Sequence, residues 1–278
     1  MFGKLSIVGL IVAGVVGFGL ASVEEGVTRL SFVAVGQGDC VVLQHAGRVV
    51  MIDAGAKLPD FDAAQRLALP ELRKLGVSKI DLLVLTHPDA DHVGGLVAMS
   101  RRFRIGRIVA AADFLGHEEM SRWLGSAGLS DADVTWLKDS AQAQFGAATL
   151  TLLNPGWNRN TVENEGSLIA HISIGKGSAV LTGDAGQMVE NRLARTGDWR
   201  SQILKAGHHG SQTSTSSTWL AEVRPEWAII SCGRGNTYGH PHSDVMDRLK
   251  VAGIKVLRTD RDGTIRFRIG PRGFEPDG

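Results

Sequence analysis

Residues 80–95, IDLLVLTHPDADHVGG, pass from an apolar run directly into two histidines and two aspartates within six positions. The apolar run is typical of a strand that is covered on both faces. Histidine and aspartate repel like neighbours, cost solvation free energy when buried and contribute little to a core. Such polar residues after a buried strand lie where open α/β sheets place their sites. The stretch thus predicts an α/β fold and leaves two interpretations, an acidic loop or a metal site.

Three further apolar runs end on residues of the same chemical types. VVMIDAG ends on Asp53, VLTGDAG ends on Asp184, and ILKAGHHGS ends on His208 and His209. A solvated acidic loop needs no such agreement among distant segments. Because a ligand cluster needs side chains from several strand ends, the pattern favours a metal site.

Composition limits the remaining choices. The chain has 278 residues, of which 43% are hydrophobic, and it contains no internal repeat or Pro/Ser-rich linker. We therefore expect a single α/β domain over residues 24–278, in which helices cover sheets. The helical pattern of residues 62–76 contains Pro70, which must kink or divide that helix. The formal net charge of +1 excludes the strongly basic surface of a dedicated nucleic-acid-binding module. Two cysteines, Cys40 and Cys232, exclude a disulfide framework.

The N-terminal segment has the layout of a secretory signal. Lys4 precedes an uncharged apolar run from Leu5 to Ala21, and Glu24 follows. Small residues near Ala21 suit cleavage, and the run is also long enough to serve as an uncleaved anchor. We expect residues 1–23 to be a signal peptide or membrane anchor, and the domain to lie outside the cytoplasm, periplasmic or extracellular. Contact with the membrane is expected only through this segment, and the sequence indicates no protein partner.

The motifs DAG, THPDADHVGG, TGD and HHGS together resemble the metallo-β-lactamase fold. Three longer stretches, FVAVGQGDCVVL, LKAGHHGSQTS and NTYGHPHSDVMDRLKVAGIKVLRTDRDGTIRF, resemble the hydrolase-like nuclease domain of ComEC-type DNA-uptake competence proteins. The resemblance covers nearly all of the chain after the N-terminal segment. It implies an αββα sandwich with a two-metal cleft at its edge.

The resemblance also implies a ligand set. His87 and Asp89 match ligands of a first metal ion, and Asp91 and His92 match those of a second. Asp184 matches the bridging carboxylate, and His208 matches a late histidine ligand. The family's usual HxHxDH pattern is HxDxDH here, with Asp89 at its second position. The additional carboxylate makes the site harder and more anionic, which suits Mn²⁺ or Mg²⁺, although Zn²⁺ still competes.

One histidine of the broader family, between the HxDxDH segment and TGD, has no counterpart here. The segment ENEGSLIAHIS offers Asn164, Ser167 and His171 instead. Ser167 and His171 share a strand face, but four residues of strand separate them by about 13 Å. The competence-type pattern favours Asn164 and Ser167 beside the site and a structural role for His171.

Several further polar residues near the motifs are candidates for the site. His208 and His209 are adjacent, so in extended backbone their side chains diverge. We expect His208 to bind metal and His209 to face substrate or an orienting partner. Asp53 is expected to orient a ligand imidazole, and Asp39 to do the same or to cap a turn. Lys205 and Ser211, with Thr213 and Ser214, fit an anionic oxygen-rich substrate but are also ordinary in loops. His240 is the favoured functional residue of YGHPHSD, and the proposed catalytic residues are Asp91, His240, Lys205 and His209.

The predicted cofactors are two divalent metal ions, Mn²⁺ or Zn²⁺ with Mg²⁺ as a further alternative. Two such ions activate a water and bind both the entering and leaving oxygens of a substrate. The first function hypothesis is a phosphodiesterase or nuclease acting on DNA or another phosphodiester. The second is an exported hydrolase of small or envelope esters, resembling phosphocholine esterases or lactonases. The third is a metal-binding module without catalysis.

Overall fold

The computed structural model describes residues 28–58, 61–156 and 163–277. The predicted signal or anchor segment, residues 1–23, lies outside the described residues. Among the described helices, none combines the length and apolar character needed to cross a membrane.

Two large sheets form the centre of the described structure. The first sheet has eight strands among the described residues. Their spatial order is β17 (Gly273–Pro276), β16 (Ile265–Gly270), β1 (Arg29–Phe32), β2 (Val41–His45), β3 (Arg48–Ile52), β6 (Leu82–Leu85), β7 (Ile108–Ala111) and β8 (Val134–Leu137). The last four strands of this order run parallel. All four residues of β6 are buried, which confirms the prediction from its apolar sequence. A short hairpin pairs β4 (Lys57–Leu58) with β5 (Phe61–Asp62).

The second sheet has seven strands within the described residues. Their order is β15 (Lys255–Arg258), β14 (Trp227–Ile230), β13 (Ile203–Lys205), β12 (Gly177–Leu181), β11 (Ile169–Ile174), β10 (Ala148–Leu153) and β9 (Ser140–Phe145). Strands β12 to β15 run parallel, so their carboxyl ends meet at one edge. Parallel strands need crossover connections, and helices supply them.

The helices cover the outer faces of the sheets. They are α1 (Leu69–Lys74), α2 (Ala90–Val93), α3 (Leu96–Arg102), α4 (Glu118–Ser126), α5 (Gln187–Leu193), α6 (Ser217–Val223), α7 (Ser243–Val251) and α8 (Thr259–Asp262). A π-helical segment, Ala64–Ala68, leads into α1, where Pro70 occupies the first turn. Proline lacks the N–H that a regular α-helix would require there, and the helical run continues through residues 63–74 with a change from π to α hydrogen bonding directly before Pro70.

Strand alternation explains the layers. On β11, Ala170 and Ile172 join the core between the two sheets, whereas Ile169 joins a separate cluster with Val189 and Leu220 of α5 and α6. Successive strand residues point to opposite faces, so strands β11 to β14 of the second sheet contribute to both clusters. The order helices, sheet, sheet, helices is the αββα sandwich that the resemblance implied.

Several short elements were absent from the sequence prediction, among them β9, β17, α3 and α6. Strand β9 consists largely of exposed polar residues and, among the described strands, pairs with β10 alone, at the edge of the second sheet. The terminal strand β17 is also an edge strand, and α6 has seven residues. Edge strands need no apolar face and short helices show little periodicity, so neither leaves a strong pattern in sequence.

Candidate metal centre

The strands of both sheets deliver polar residues to one edge. Asp53 directly follows β3, and His87 follows β6 after a single residue. On the second sheet, Asp184 follows β12, and His208 and His209 follow β13. Parallel strands therefore bring together residues that lie more than a hundred positions apart in the chain.

Close backbone packing fixes the turn that carries Asp91 and His92. The short helix α2 holds both residues, and the Ala54 N–H donates to the His92 carbonyl at 2.7 Å. A Cβ at Gly95 would lie 2.0 Å from the Ala54 carbonyl oxygen, so no side chain fits there. The VGG sequence after the ligands is thus required for α2 to approach the loop after β3.

His208 and His209 both have left-handed backbone conformations, with φ of 47° and 54°. Because of this, their rings do not diverge as they would in extended backbone. His208 Nε2 lies 3.7 Å and His209 Nε2 lies 3.4 Å from the same Asp184 oxygen. The expectation that the two rings diverge is therefore corrected, since both rings approach Asp184. His209 is the more deeply placed, with 1% of its side chain exposed against 32% for His208.

The ring nitrogens of His92 and His209 converge on two carboxylates. His92 Nε2 lies 3.2 Å from Asp184 Oδ1 and 3.4 Å from His209 Nε2. His209 Nε2 also lies 3.0 Å from Asp91 Oδ2. The cluster comprises an imidazole pair and two carboxylates, the donor set of a divalent metal site.

Hydrogen bonds behind the rings fix which nitrogen is free. His92 Nδ1 donates to Asp53 at 2.7 Å, and His209 Nδ1 donates to the Ser231 carbonyl at 2.9 Å. In a neutral imidazole with a protonated Nδ1, Nε2 presents a lone pair. Asp53 is itself held by the N–H and hydroxyl of Thr86, each at 2.8 Å. Both Nε2 atoms are thus oriented as ligands toward Asp184.

Asp39 lies on the Nδ1 side of the His92 and His209 rings. Its carboxylate lies 3.8 Å from His92 Nδ1 and 3.7 Å from His209 Nδ1, whereas Asp184 faces the Nε2 atoms. Asp39, His92, Asp184 and His209 form a compact group of ligand-type atoms. However, Asp39 pairs with the Lys205 ammonium, so it supports the rings rather than the ligand position.

Lys205 does not occupy the position expected of a substrate-binding cation. Its side chain is 1% exposed, it pairs with Asp39, and its ammonium donates to the Gly183 and Ala206 carbonyls at 3.3 Å. Lys205 ends the central strand β13, which has a neighbouring strand on each side and no direct access to solvent. The structure thus corrects the view of Lys205 as a contact for an incoming anion.

His87 and Asp89 form the second part of the cluster. His87 is fully buried, and its Nε2 has no hydrogen-bond partner although Asp89 Oδ2 lies 3.5 Å away. The His87 and His92 rings lie 4.1 Å apart, centroid to centroid. A buried imidazole nitrogen without a partner is costly in a folded protein, and a metal ion would satisfy it. The donor set present therefore fits a metal ion.

The pKa values of His92 and His209 reflect a strongly negative potential at the cluster. Burial alone lowers the pKa of His209, but Asp184 and Asp91 outweigh it and raise the pKa to about 10. Burial likewise opposes the effect of Asp184 and Asp53 on His92, yet its pKa is well above the usual value. Burial raises the pKa of Asp184, whereas His209 and His92 hold it well below the usual value. Such a site attracts cations, and protons compete with metal ions for it.

The remaining predicted site residues have mixed placements. Ser167 is buried and its hydroxyl accepts the Asp184 N–H at 3.1 Å. Asn164 lies in the 3₁₀ turn before it, and its carbonyl accepts the Ser167 N–H. Ser211 shares a 3.1 Å hydrogen bond with Thr213 within the loop. His171 lies on the helix-covered face of β11, where its ring packs against Trp199 at 6.2 Å.

The chain is similar to a known protein family and to several known proteins. The family model described as the metallo-beta-lactamase superfamily matches residues 33–234. The chain belongs to the metallo-beta-lactamase superfamily. Within this superfamily, divalent metals are the usual cofactors, and the cluster around Asp184 is the corresponding candidate site of this member.

Among curated proteins, this superfamily member is similar to competence protein ComA of Neisseria gonorrhoeae, with 33% identity over 268 residues, 96% of this chain and 36% of the relative. It is also similar to ComE operon protein 3 of Bacillus subtilis, with 29% identity over 88% of this chain and 33% of the relative. The chain thus spans about a third of the length of these relatives. The Bacillus subtilis metallo-beta-lactamase fold protein YhfI shares the fold, with a TM-score of 0.56, 12% identity and coverage of 87% of this chain and 100% of that chain.

Sequence reasoning missed the residues that brace the loop after the two histidines. The buried Glu190 carboxylate on α5 accepts the N–H groups of Thr215 at 2.6 Å and Ser216 at 2.8 Å. From α7, Arg248 donates to the carbonyls of Thr215 and Ser214 at 2.9 and 2.8 Å. In this superfamily member, two charged side chains on different helices thus hold one loop. No local pattern links these residues, because the contacts exist only after the helices pack.

We expect the Glu190→Gln variant to flatten the pH dependence of stability. Burial raises the pKa of Glu190 to about 7, although the N–H donors of Ser216 and Thr215 oppose it. The folded state then binds more protons than the unfolded state between pH of about 4.5 and 7, so stability falls as pH rises through this window, by about 3 kcal/mol at most. Unfolding by urea at pH 5 and pH 8 measures the difference. The exposed Glu118→Gln is the control, and parallel curves for wild type and Glu190→Gln would contradict the assignment.

Proposed function

We propose that the cluster holds two divalent metal ions that share Asp184. His87, Asp89 and His208 would bind one ion, and Asp91, His92 and His209 the other. The placement of His208 and His209 on a common Asp184 oxygen supports this division. The arrangement differs from the ligand set implied by sequence resemblance in giving His209 a ligand role.

Charge balance supports two ions rather than one. Five carboxylates, of Asp39, Asp53, Asp89, Asp91 and Asp184, lie in or beside the cluster, and Lys205 is the ammonium among them. With the imidazoles neutral, as metal ligation requires, their sum is four negative charges, which two divalent cations would neutralise. The high proportion of carboxylates among the ligand-type groups favours Mn²⁺ or Mg²⁺ over Zn²⁺, compared with a site rich in imidazoles.

We propose that this chain is a metal-dependent phosphodiesterase or nuclease. The observation that carries the proposal is the convergence of three imidazole Nε2 atoms and the carboxylates of Asp91 and Asp184 at one sheet edge. When bound, two divalent ions supply an activated water and stabilise charge on phosphoryl oxygens. Similarity to competence protein ComA and ComE operon protein 3, together with the resemblance of the sequence to DNA-uptake competence proteins, supports a nucleic-acid phosphodiester as substrate.

The protein's own residues have separate tasks in this proposal. Asp53 and the Ser231 carbonyl hold the protons on Nδ1 of His92 and His209, which keeps each Nε2 available. Lys205 pairs with Asp39 and holds its carboxylate behind these rings. The His240 ring lies 5.7 Å from His208, and Gln37 Nε2 lies 3.5 Å from His240 Nδ1. If Gln37 donates to Nδ1, the His240 Nε2–H is free to donate to a substrate oxygen.

A substrate panel tests the proposed function. The purified full chain would be assayed with single-stranded DNA, duplex DNA, bis-p-nitrophenyl phosphate, a phosphocholine ester and a lactone, each with Mn²⁺, Mg²⁺ and Zn²⁺. We expect hydrolysis of the phosphodiesters, and the Asp91→Asn variant is the inactive control. Turnover of the lactone or the choline ester alone would overturn the proposal in favour of a small-ester hydrolase. Full metal binding without any turnover would favour a non-catalytic module.

Metal preference gives a sharper test of the ligand assignment. In wild type we expect faster phosphodiester hydrolysis with Mn²⁺ than with Zn²⁺, because Asp89 replaces an imidazole. The Asp89→His variant is expected to shift the ratio of the two rates toward Zn²⁺ by about tenfold or more. Rates at saturating metal measure this ratio. A wild type that is fully active with Zn²⁺ and inactive with Mn²⁺ would show that the hardness argument is wrong.

A further inference from the structure

The loop from Gly233 to His242 is a preformed structure beside the metal centre. Asn236 Nδ2 donates to the His240 carbonyl at 2.7 Å and to the Gly233 carbonyl at 2.9 Å, and Asn236 Oδ1 accepts the His240 N–H at 3.0 Å. Gln37 Oε1 accepts the Gly233 N–H at 3.1 Å from the first sheet's side of the cleft. These hydrogen bonds fix both ends of the loop.

The same loop packs on the turn that carries the paired histidines. The His242 N–H donates to the Gly210 carbonyl at 2.8 Å. A Cβ at Gly210 would lie 2.7 Å from Pro241 Cβ, so the two segments are in direct contact. The position of the loop relative to His208 and His209 is thus set by packing.

Tyr238 stands at the outer end of a series of rings on this loop. Its side chain is 68% exposed, and its ring stacks on His240 with centroids 5.8 Å apart and planes 25° apart. The His240 ring in turn stacks on His209 at 6.4 Å and 29°. The rings of Tyr238, His240 and His209 thus lead from solvent to the metal ligands, and the outer face of Tyr238 is uncovered among the described residues. A ring this exposed, on a loop fixed beside the metal ligands, is accessible to a flat ligand.

We propose that the exposed face of Tyr238 stacks against a nucleobase next to the scissile phosphodiester. This inference rests on the proposed function and names the substrate class as single-stranded nucleic acid. Base stacking on an aromatic ring tolerates any sequence, since every base has a flat face. The formal charge of +1 supports stacking as the source of affinity, because the chain lacks the excess of cations that phosphate neutralisation requires.

A quaternary ammonium group is the other occupant that an exposed tyrosine attracts. Recognition of such cations uses an enclosing cage of several aromatic rings. Tyr238 and His240 instead lie nearly parallel and offer one flat face, and Tyr238 is the only tyrosine of the chain. A flat face is complementary to a planar base.

The test compares two substitutions on two oligonucleotides. Cleavage of a short single-stranded oligodeoxynucleotide and of an abasic oligomer of equal length would be measured with Mn²⁺ for wild type, Tyr238→Ala and Tyr238→Phe. We expect Tyr238→Ala to raise KM about tenfold on the base-bearing oligomer and to leave the abasic one unchanged, whereas Tyr238→Phe behaves as wild type. Val251→Ala, which alters an 89% exposed side chain on α7, is the matched control.

Equilibrium binding of the same fluorescent oligonucleotides separates this inference from the proposed function. If no phosphodiester is cleaved but base-dependent binding is lost in Tyr238→Ala, the function proposal fails and the stacking proposal stands. Equal effects of Tyr238→Ala on both oligomers, or no effect on the base-bearing one, would overturn stacking. An effect confined to a phosphocholine ester would also overturn it, in favour of a cation site.

Discussion

The Asp184→Asn variant is expected to bind less than one metal ion per chain and to lose turnover almost completely. Asp184 is buried, and its two oxygens lie 3.2 to 3.7 Å from the Nε2 atoms of His92, His208 and His209. Asparagine has the same size but carries no charge and cannot bridge two cations. Loss of a residue that only orients a ligand costs about 10- to 100-fold, so loss of the shared carboxylate should cost more than about 100-fold.

Metal content per chain and the rate on bis-p-nitrophenyl phosphate measure this prediction together. The exposed Asp198→Asn variant is the control for removing one negative charge. A melting curve shows whether Asp184→Asn is folded. If the folded variant keeps two metal ions, Asp184 is not the shared ligand and the proposed division of the cluster is wrong.

The second large effect is a difference between the substitutions of His209 and of His171. We expect His209→Ala to lose metal and to lower turnover by more than about 100-fold, because His209 Nε2 contacts both Asp91 and Asp184. His171→Ala should keep metal and most activity, since its ring packs on Trp199 behind the second sheet. A modest loss of stability, about 1 kcal/mol, is expected for His171→Ala.

The same two assays, metal content and rate, apply to both histidine variants. His208→Ala is an informative intermediate, because its Nε2 also approaches Asp184 but from a more exposed position. Normal metal in His209→Ala together with loss of metal in His171→Ala would reverse the assignment.

Much of the centre could be predicted because strand ends are visible in sequence. Apolar runs that end on Asp53 and His87 identify β3 and β6 of the first sheet, and the run that ends on Asp184 identifies β12 of the second. The irregularity of the helix next to Pro70 could be expected in the same way from the missing proline N–H. These features depend on local residue order, so no knowledge of tertiary packing was needed.

The directions of individual side chains could not be predicted from the sequence. The ring positions of His208 and His209 depend on left-handed backbone at both residues, a conformation that is uncommon outside glycine. A lysine close in sequence to the paired histidines is typical of a substrate contact, but the position of Lys205 on β13 buries its side chain against Asp39. Glu190 supports the loop after His209 across a helix–loop contact that no sequence spacing indicates. Each of these depends on tertiary structure.

Dependence of hydrolysis on two metal ions is tested by titrating the metal-depleted full chain with Mn²⁺ and following phosphodiester hydrolysis at each addition. We expect no hydrolysis before addition, a rise in rate that continues to two ions per chain and a plateau beyond that point. Hydrolysis that persists in the metal-depleted chain, or a plateau without any phosphodiester cleavage, would contradict this expectation.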